Sequence, residues 1–170
     1  IVAAIGIYYD NVAVVIGSMV IAPLLSPSIA LSLSFTLADF DLTKEAARSA
    51  VIGYSTPLFI GIIFGLFLKV DFYSSNVLIT GTNIDIMYIL LAISAGVAGT
   101  LSFTRDVSQA LVGVMVAVAL LPPLVTSGLL IGSNYWHEAI GAFLLFSVNL
   151  VSINFAGIIT FLVQGVTPRE

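Results

Sequence analysis

One phrase occurs twice in this chain, at positions that differ by 96. Residues 17–27 read GSMVIAPLLSP, and residues 113–123 read GVMVAVALLPP. The same shift, applied without a gap, also aligns Asp10 with Asp106. An apolar chain produces chance matches, but not gapless runs that include Asp, Pro and Gly together. The sequence therefore predicts a tandem duplication, and the duplicated unit is an apolar segment interrupted by proline.

The composition indicates which solvent this chain folds in. It is 59% hydrophobic and only 8% charged, whereas soluble domains carry about 25% charged residues. So few charges cannot cover a surface in water, and we predict an integral membrane protein whose partner is the lipid bilayer. The absence of cysteine excludes disulfides and thiolate metal sites. No basic tract supports nucleic-acid binding, and no motif indicates a cofactor.

The apolar runs predict an all-α, polytopic fold with six spans, because a helix needs about 20 mostly apolar residues to cross a bilayer. The predicted spans are 1–9, 12–37, 43–69, 86–104, 107–132 and 138–164. We interpret the first as a helix truncated at its N-terminus. The predicted organisation is one integrated membrane domain with a three-helix repeat over 1–69, an inter-repeat loop over 70–85 and a second three-helix repeat over 86–170.

Three spans in each copy, an odd number, would place the second copy upside down in the membrane, as in several secondary-transporter folds. Four basic residues then lie on one side, namely Lys44, Arg48, Arg105 and Arg169, and only Lys69 lies on the other. Basic residues are in excess in cytoplasmic loops. We therefore predict that both ends are cytoplasmic, that the 70–85 loop is extracytoplasmic, and that the protein is in the plasma or inner membrane.

Prolines lie near the centres of the second and fifth spans, at Pro23, Pro27, Pro122 and Pro123. A proline lacks the N–H that would bond the carbonyl four residues earlier. The carbonyls left without a helical donor are those of Met19, Pro23, Val118 and Ala119. Such groups persist in hydrocarbon only when they are buried in protein or face water. Matched breaks in inverted copies predict a shared midplane site; the alternative is a packing kink in each helix.

Polar side chains occur at the same predicted depth. The candidate ligands for a solute or ion are Ser26, Ser28, Thr126, Ser127, Asn149 and Asn154. The alternative for each hydroxyl is a contact between helices, worth about 0.6 kcal/mol. The two Asn residues are stronger candidates, since an amide has four hydrogen-bonding positions to satisfy. Helical periodicity places Asn149 and Asn154 on different faces of the sixth span, so one can face a cavity while the other bonds a neighbouring helix.

Charged residues map to predicted ends and loops, and only Asp10 and Asp106 could reach inward. The simpler interpretation is that each caps the helix that follows it. His137 beside Glu138 forms neither a metal site nor a catalytic triad. With no nucleophile and base inside the spans, no enzyme is predicted. The pairs Gly61/Gly65 and Gly128/Gly132, each spaced by four, predict close helix packing.

Three segments together resemble one membrane family. They are residues 15–27, residues 116–123 and the segment NLVSINFAG at 149–157. The chain is similar over almost its whole length to a bacterial and archaeal family of hydrophobic membrane proteins, the domain of unknown function 389. The resemblance implies a membrane protein of this topology, often with a soluble N-terminal region, and it carries no activity or catalytic residues to this chain.

Two functions fit these patterns. The first is a transport protein or channel for a small solute or ion, with a midplane site between the two broken spans. The second is a membrane anchor and oligomerisation module for an upstream soluble or sensory region. The many small residues also favour a homo-oligomer.

Overall fold

The computed structural model describes residues 1–21, 24–68, 70–83, 85–104 and 109–168, and these residues confirm the predicted all-α class. The helices are α1 (Val2–Tyr8), α2 (Val12–Ile21), α3 (Leu25–Leu37), α4 (Phe40–Leu68), α5 (Asn76–Thr80), α6 (Ile86–Thr104), α7 (Gln109–Gly132) and α8 (Trp136–Val163), with a 3-10 turn at Phe72–Ser74.

Four of these helices, α4, α6, α7 and α8, are long enough and apolar enough to cross a membrane. The pair α2 and α3, whose axes differ by 55°, can count as a fifth span. Helix α1 has seven residues. The described residues are thus compatible with a multi-pass membrane protein and contain four or five candidate spans, where the sequence predicted six.

The predicted break in the fifth span is wrong, because α7 continues as one helix through Pro122 and Pro123. The physical reason lies in the neighbouring helix. The Nδ2 of Asn149 in α8 donates a hydrogen bond of 2.8 Å to the carbonyl of Ala119, the group that Pro123 leaves without its helical donor. A side chain from α8 therefore replaces one missing backbone bond, and the helix continues.

The second span differs from the fifth. Helix α2 ends at Ile21 and α3 begins at Leu25, while the predicted site residue Pro23 lies outside the described residues. Pro27 is in the first turn of α3, where backbone N–H groups have no acceptor within the helix. Proline at that position costs α3 no hydrogen bond.

Two turns of the chain repeat with the predicted shift. Ala38, after α3, and Asn134, after α7, are 96 positions apart, and both have positive φ, 51° and 66°. Helix α4 begins at Phe40 and α8 at Trp136, again 96 apart. A left-handed residue at the end of a helix turns the chain sharply into the next one. The backbone conformation therefore recurs at these two positions, which are related by the predicted shift.

Glycine allows a close helix contact between α4 and α7. A methyl group on Gly61 would lie 3.0 Å from the Cα of Gly128, and the reverse distance is also 3.0 Å. Gly65 and Gly132 meet in the same way one turn further along. The two glycine pairs predicted from the spacing thus pack against each other, which lets the two backbones approach closely.

The corresponding contact in the other half joins α8 to α3. In the 96-residue shift, Gly61 is equivalent to Gly157, and Gly128 is equivalent to Ser32. A methyl group on Gly157 would lie 2.7 Å from the Oγ of Ser32. The long helix α4 of the first half therefore packs against α7 of the second half, and α8 of the second half packs against α3 of the first.

The segment between the copies folds back onto the bundle. Leu78 of α5 is 0% exposed. Asp10 Oδ1 accepts hydrogen bonds from the Ser75 hydroxyl at 2.8 Å and from the Val77 N–H at 2.9 Å. Ser75 is the N-cap of α5, and Asp10 adds to this cap from outside the helix by accepting from the Val77 N–H. The prediction that Asp10 caps α2 is wrong: the Oδ1 of Asn11 accepts from the N–H of Val14 there. Asp106 lies outside the described residues.

Candidate functional site

A cavity of about 370 Å³ lies between α2, α5, α7 and α8, with Tyr88 of α6 also in its wall. Its volume falls in the range of small-molecule sites, about 300–1,000 Å³. Predicted site residues that line this cavity are Met19, Val118, Ala119, Pro122, Pro123 and Asn149. The proline pair of α7 and the amide that supports it thus form one wall of a single pocket.

Asn149 is the polar residue that α8 contributes to the wall of this cavity. It is 13 residues from the first residue of α8, which corresponds to about 20 Å along the axis. Its side chain is 1% exposed. The Ala119 carbonyl can only accept a hydrogen bond, so the amide atom that faces it must be the donor Nδ2. The acceptor Oδ1 of Asn149 therefore points away from that carbonyl.

The Oδ1 atom of Asn149 has no hydrogen-bond partner among the described residues. A buried acceptor without a donor costs about 1–3 kcal/mol, and most buried polar atoms in proteins are paired. Asn149 also lines the cavity, so its buried, unpaired amide oxygen is the candidate acceptor for a ligand there.

A second unpaired group lies where α5 meets α7. Thr126 is 0% exposed, and its Oγ1 has no partner among the described residues. A methyl group on Gly81, which lines the cavity, would lie 2.9 Å from this Oγ1. Glycine at this position lets the segment after α5 rest directly on α7 and close one side of the pocket.

The rest of the wall is mainly apolar. The described residues that line the cavity include no acidic, basic or histidine side chain. Thr80 is polar, but its hydroxyl already donates to the Asn76 carbonyl at 2.7 Å. The pocket therefore offers a mainly apolar surface with the Tyr88 phenol at its wall and the buried Asn149 Oδ1 as an unpaired side-chain acceptor.

Other predicted site residues bond within the protein and do not line this cavity. The hydroxyls of Ser28 and Tyr54 are 2.8 Å apart. Asn154 accepts from the Ser32 hydroxyl at 3.2 Å and donates to its own helix. Ser127 donates to the Ala139 carbonyl at 3.1 Å. These hydrogen bonds join α3 to α4, α3 to α8, and α7 to α8. For these residues the structure thus shows contacts between helices, the alternative to ligand binding given above.

Ser26 and Pro27 also lie outside the cavity wall: Ser26 is exposed and Pro27 is buried in the first turn of α3. The contribution of the inter-repeat segment to the cavity was not predicted from the sequence. Val77, Thr80 and Gly81 line the pocket. The apolar run VLI at 77–79, inside an otherwise polar stretch, is the signal that this segment packs against the bundle.

Comparison with known proteins shows the family to which this sequence belongs. The family described as "Domain of unknown function (DUF389)" matches residues 19–155. An uncharacterized protein of Methanocaldococcus jannaschii is 42% identical over 168 residues, which cover 99% of this chain and 52% of that protein. The chain thus spans about half the length of this relative. No solved structure matches the chain. Both the family match and the identity lead to one conclusion: this chain belongs to the DUF389 family.

Proposed function

We propose that this chain is a membrane transport protein or channel for a small solute or ion, with the cavity between α2, α5, α7 and α8 as its site. The observation that carries the proposal is the unpaired Oδ1 of Asn149. The same amide supports the proline pair, so the acceptor is held at a fixed position. A fixed polar group in an otherwise apolar pocket is the usual composition of a small-molecule site.

The proposal includes an inverted relation between the two copies. The exchange of contacts between Gly61–Gly128 and Gly157–Ser32 supports a two-fold relation, and an odd number of spans per copy would invert the second copy. The cavity takes α2 from the first copy and α7 and α8 from the second. Binding sites in inverted-repeat transporters lie at this kind of interface.

A second candidate is a non-transporting anchor or oligomerisation module for the rest of a longer protein. Two observations favour it. The Ala119 carbonyl is satisfied within the protein, and several buried hydroxyls bond to helix carbonyls or to other side chains. Helix packing alone accounts for those contacts.

Flux measurements in liposomes separate the two candidates. We expect proteoliposomes to take up at least one of glycerol, propane-1,2-diol or potassium faster than protein-free vesicles. Val118→Phe places a ring in the cavity and should return the rate toward the protein-free value. Val151→Phe is the matched control, since Val151 is 68% exposed on α8 and does not line the cavity. Equal rates with and without protein for all three solutes would support the anchor instead.

A further inference from the structure

We infer that the cavity beside the α7 proline pair binds a neutral, mainly apolar molecule that carries one hydroxyl or N–H group. This inference rests on the site named in the proposed function and adds the chemical class of its ligand. Three properties of the pocket carry it: the acceptor, the absence of charge in the described wall, and the volume.

The acceptor determines the polar group of the ligand. The Nδ2 of Asn149 already donates to the Ala119 carbonyl at 2.8 Å, so the amide has only Oδ1 to offer. An oxygen of this kind accepts hydrogen bonds and donates none. A ligand that carries an N–H or O–H completes the amide, whereas a ligand that carries only acceptors leaves Oδ1 unpaired and places a second electron-rich atom beside it.

The wall argues against an ion. None of its described residues is acidic, basic or histidine, and moving an unpaired ion from water into an apolar site is strongly unfavourable. A metal cation needs several oxygen ligands together. Near the prolines, Asn149 Oδ1 is the unpaired buried side-chain oxygen of the described wall, and one such oxygen suits a neutral donor better than a cation.

The volume limits the size of the ligand. About 370 Å³ is near the lower end of small-molecule sites, about 300–1,000 Å³. Apolar cavities in proteins tend to stay dry and to accept apolar molecules of matching size. A molecule with one or two rings fits these limits.

A second cavity provides an internal comparison. It has a volume of about 290 Å³ and lies between α1, α2, α4 and α7. Its polar side chains are bonded: Ser18 donates to the Val15 carbonyl at 2.6 Å, and Thr56 donates to the Ile52 carbonyl at 2.8 Å. An unpaired acceptor therefore distinguishes the larger cavity from the smaller one.

Three probes of similar shape test the inference on the protein in detergent. Indole is neutral and has an N–H donor, 1-methylindole is neutral without a donor, and indole-3-carboxylate keeps the donor and adds a negative charge. Dissociation constants come from the dependence of the unfolding temperature on probe concentration. We expect indole to bind roughly two- to tenfold more tightly than 1-methylindole, the effect of one hydrogen bond, and indole-3-carboxylate to bind more weakly than indole.

Substitutions assign the preference to the cavity. In Asn149→Leu the indole preference should disappear. In Asn154→Leu, which removes an amide from the same helix outside the cavity, it should remain. If Asn149→Leu does not fold, Val118→Phe fills the pocket and should abolish binding of both neutral probes. Equal affinity of indole and 1-methylindole in the unmodified protein, or tighter binding of the carboxylate, would overturn the inference.

The binding test does not depend on transport. Selective indole binding without solute flux would remove the transport function and keep the ligand class. Potassium flux together with no preference between indole and 1-methylindole would keep transport and remove the ligand class.

Discussion

At the scale of residues, Asn149 has two roles in this fold. Its Nδ2 donates to the carbonyl that Pro123 leaves without a helical donor, and its unpaired Oδ1 is the acceptor that we propose for a ligand of the cavity. The 96-residue shift pairs Asn149 with Gly53, which has no side chain to donate. The span that contacts Asn149 is one helix, α7, whereas its counterpart consists of α2 and α3. The span that has an amide donor beside its proline is thus continuous, and the span whose neighbour has glycine at the equivalent position is divided into two helices.

We predict that Asn149→Leu destabilises the protein by about 1–3 kcal/mol, because it leaves the Ala119 carbonyl buried without a donor. Pro123→Ala restores the backbone N–H that can bond this carbonyl. In a Pro123→Ala background, Asn149→Leu should therefore cost less. Denaturant unfolding of the two single variants and the double variant in detergent measures this coupling. The same loss in both backgrounds would mean that Asn149 does not compensate for Pro123.

The sequence predicted part of this arrangement. Pro123 and Asn149 were both candidates, because a proline and an amide are unusual inside apolar spans. Which of Asn149 and Asn154 faces the cavity remained open, since periodicity places residues on faces but does not say what each face contacts. The bond from Asn149 to Ala119 joins residues 30 positions apart, and only the packing of α7 on α8 brings them together.

At the scale of elements, glycine-mediated packing joins the two copies. The spacing of the glycines predicted close contacts, but it could not identify the partner of each pair, because any small-residue pair can meet any other. In the structure Gly61 and Gly65 meet Gly128 and Gly132. The inter-repeat segment was predicted only as a loop, because α5 has five residues and too short an apolar run to show helical periodicity.

We predict that Gly128→Ala lowers stability by about 1–3 kcal/mol through overpacking. Its new methyl group would meet the carbonyl oxygen of Leu58, and a backbone atom cannot rotate away. Gly17→Ala is the matched control, because no other part of the described structure lies within 4 Å of a methyl group at that helical position. It should be neutral or stabilising by up to about 1 kcal/mol. Similar unfolding temperatures for both variants would contradict the close contact of α4 and α7.

The cap on α5 predicts a dependence of stability on pH. Hydrogen bonds from the Val77 N–H and then from the Ser75 hydroxyl lower the pKa of Asp10 below its ordinary value. A group with a lowered pKa stabilises the fold above its ordinary pKa, near 3.9, and this contribution is lost as the pH falls through the lowered value.

Asp10→Asn carries the neutral form at every pH, so it should unfold at a lower temperature than the unmodified protein at pH 7. The difference should shrink as the pH falls below about 4. Melting curves of both proteins between pH 7 and pH 3 measure it. A difference that stays constant over this range would show that the charge of Asp10 does not contribute to the cap.

At the scale of the whole molecule, helices from both halves of the chain line one half-open cavity. The repeated turns at Ala38 and Asn134 and the exchanged glycine contacts support a two-fold relation between the copies. The duplication was predicted from matched positions such as Pro27 with Pro123 and Gly17 with Gly113, and it stays a prediction. The cavity was not readable, because α5 and α8 reach it only through the folded packing.

We propose that the two copies have opposite orientations in the membrane, with the site between them. The chain contains no cysteine, so single introduced cysteines report topology directly. Asp41 in α4 and His137 in α8 are both exposed and are related by the 96-residue shift. With Asp41→Cys and His137→Cys, a membrane-impermeant maleimide should label the first from the cytoplasmic side and the second from the opposite side. Labelling of both from the same side would contradict the claim.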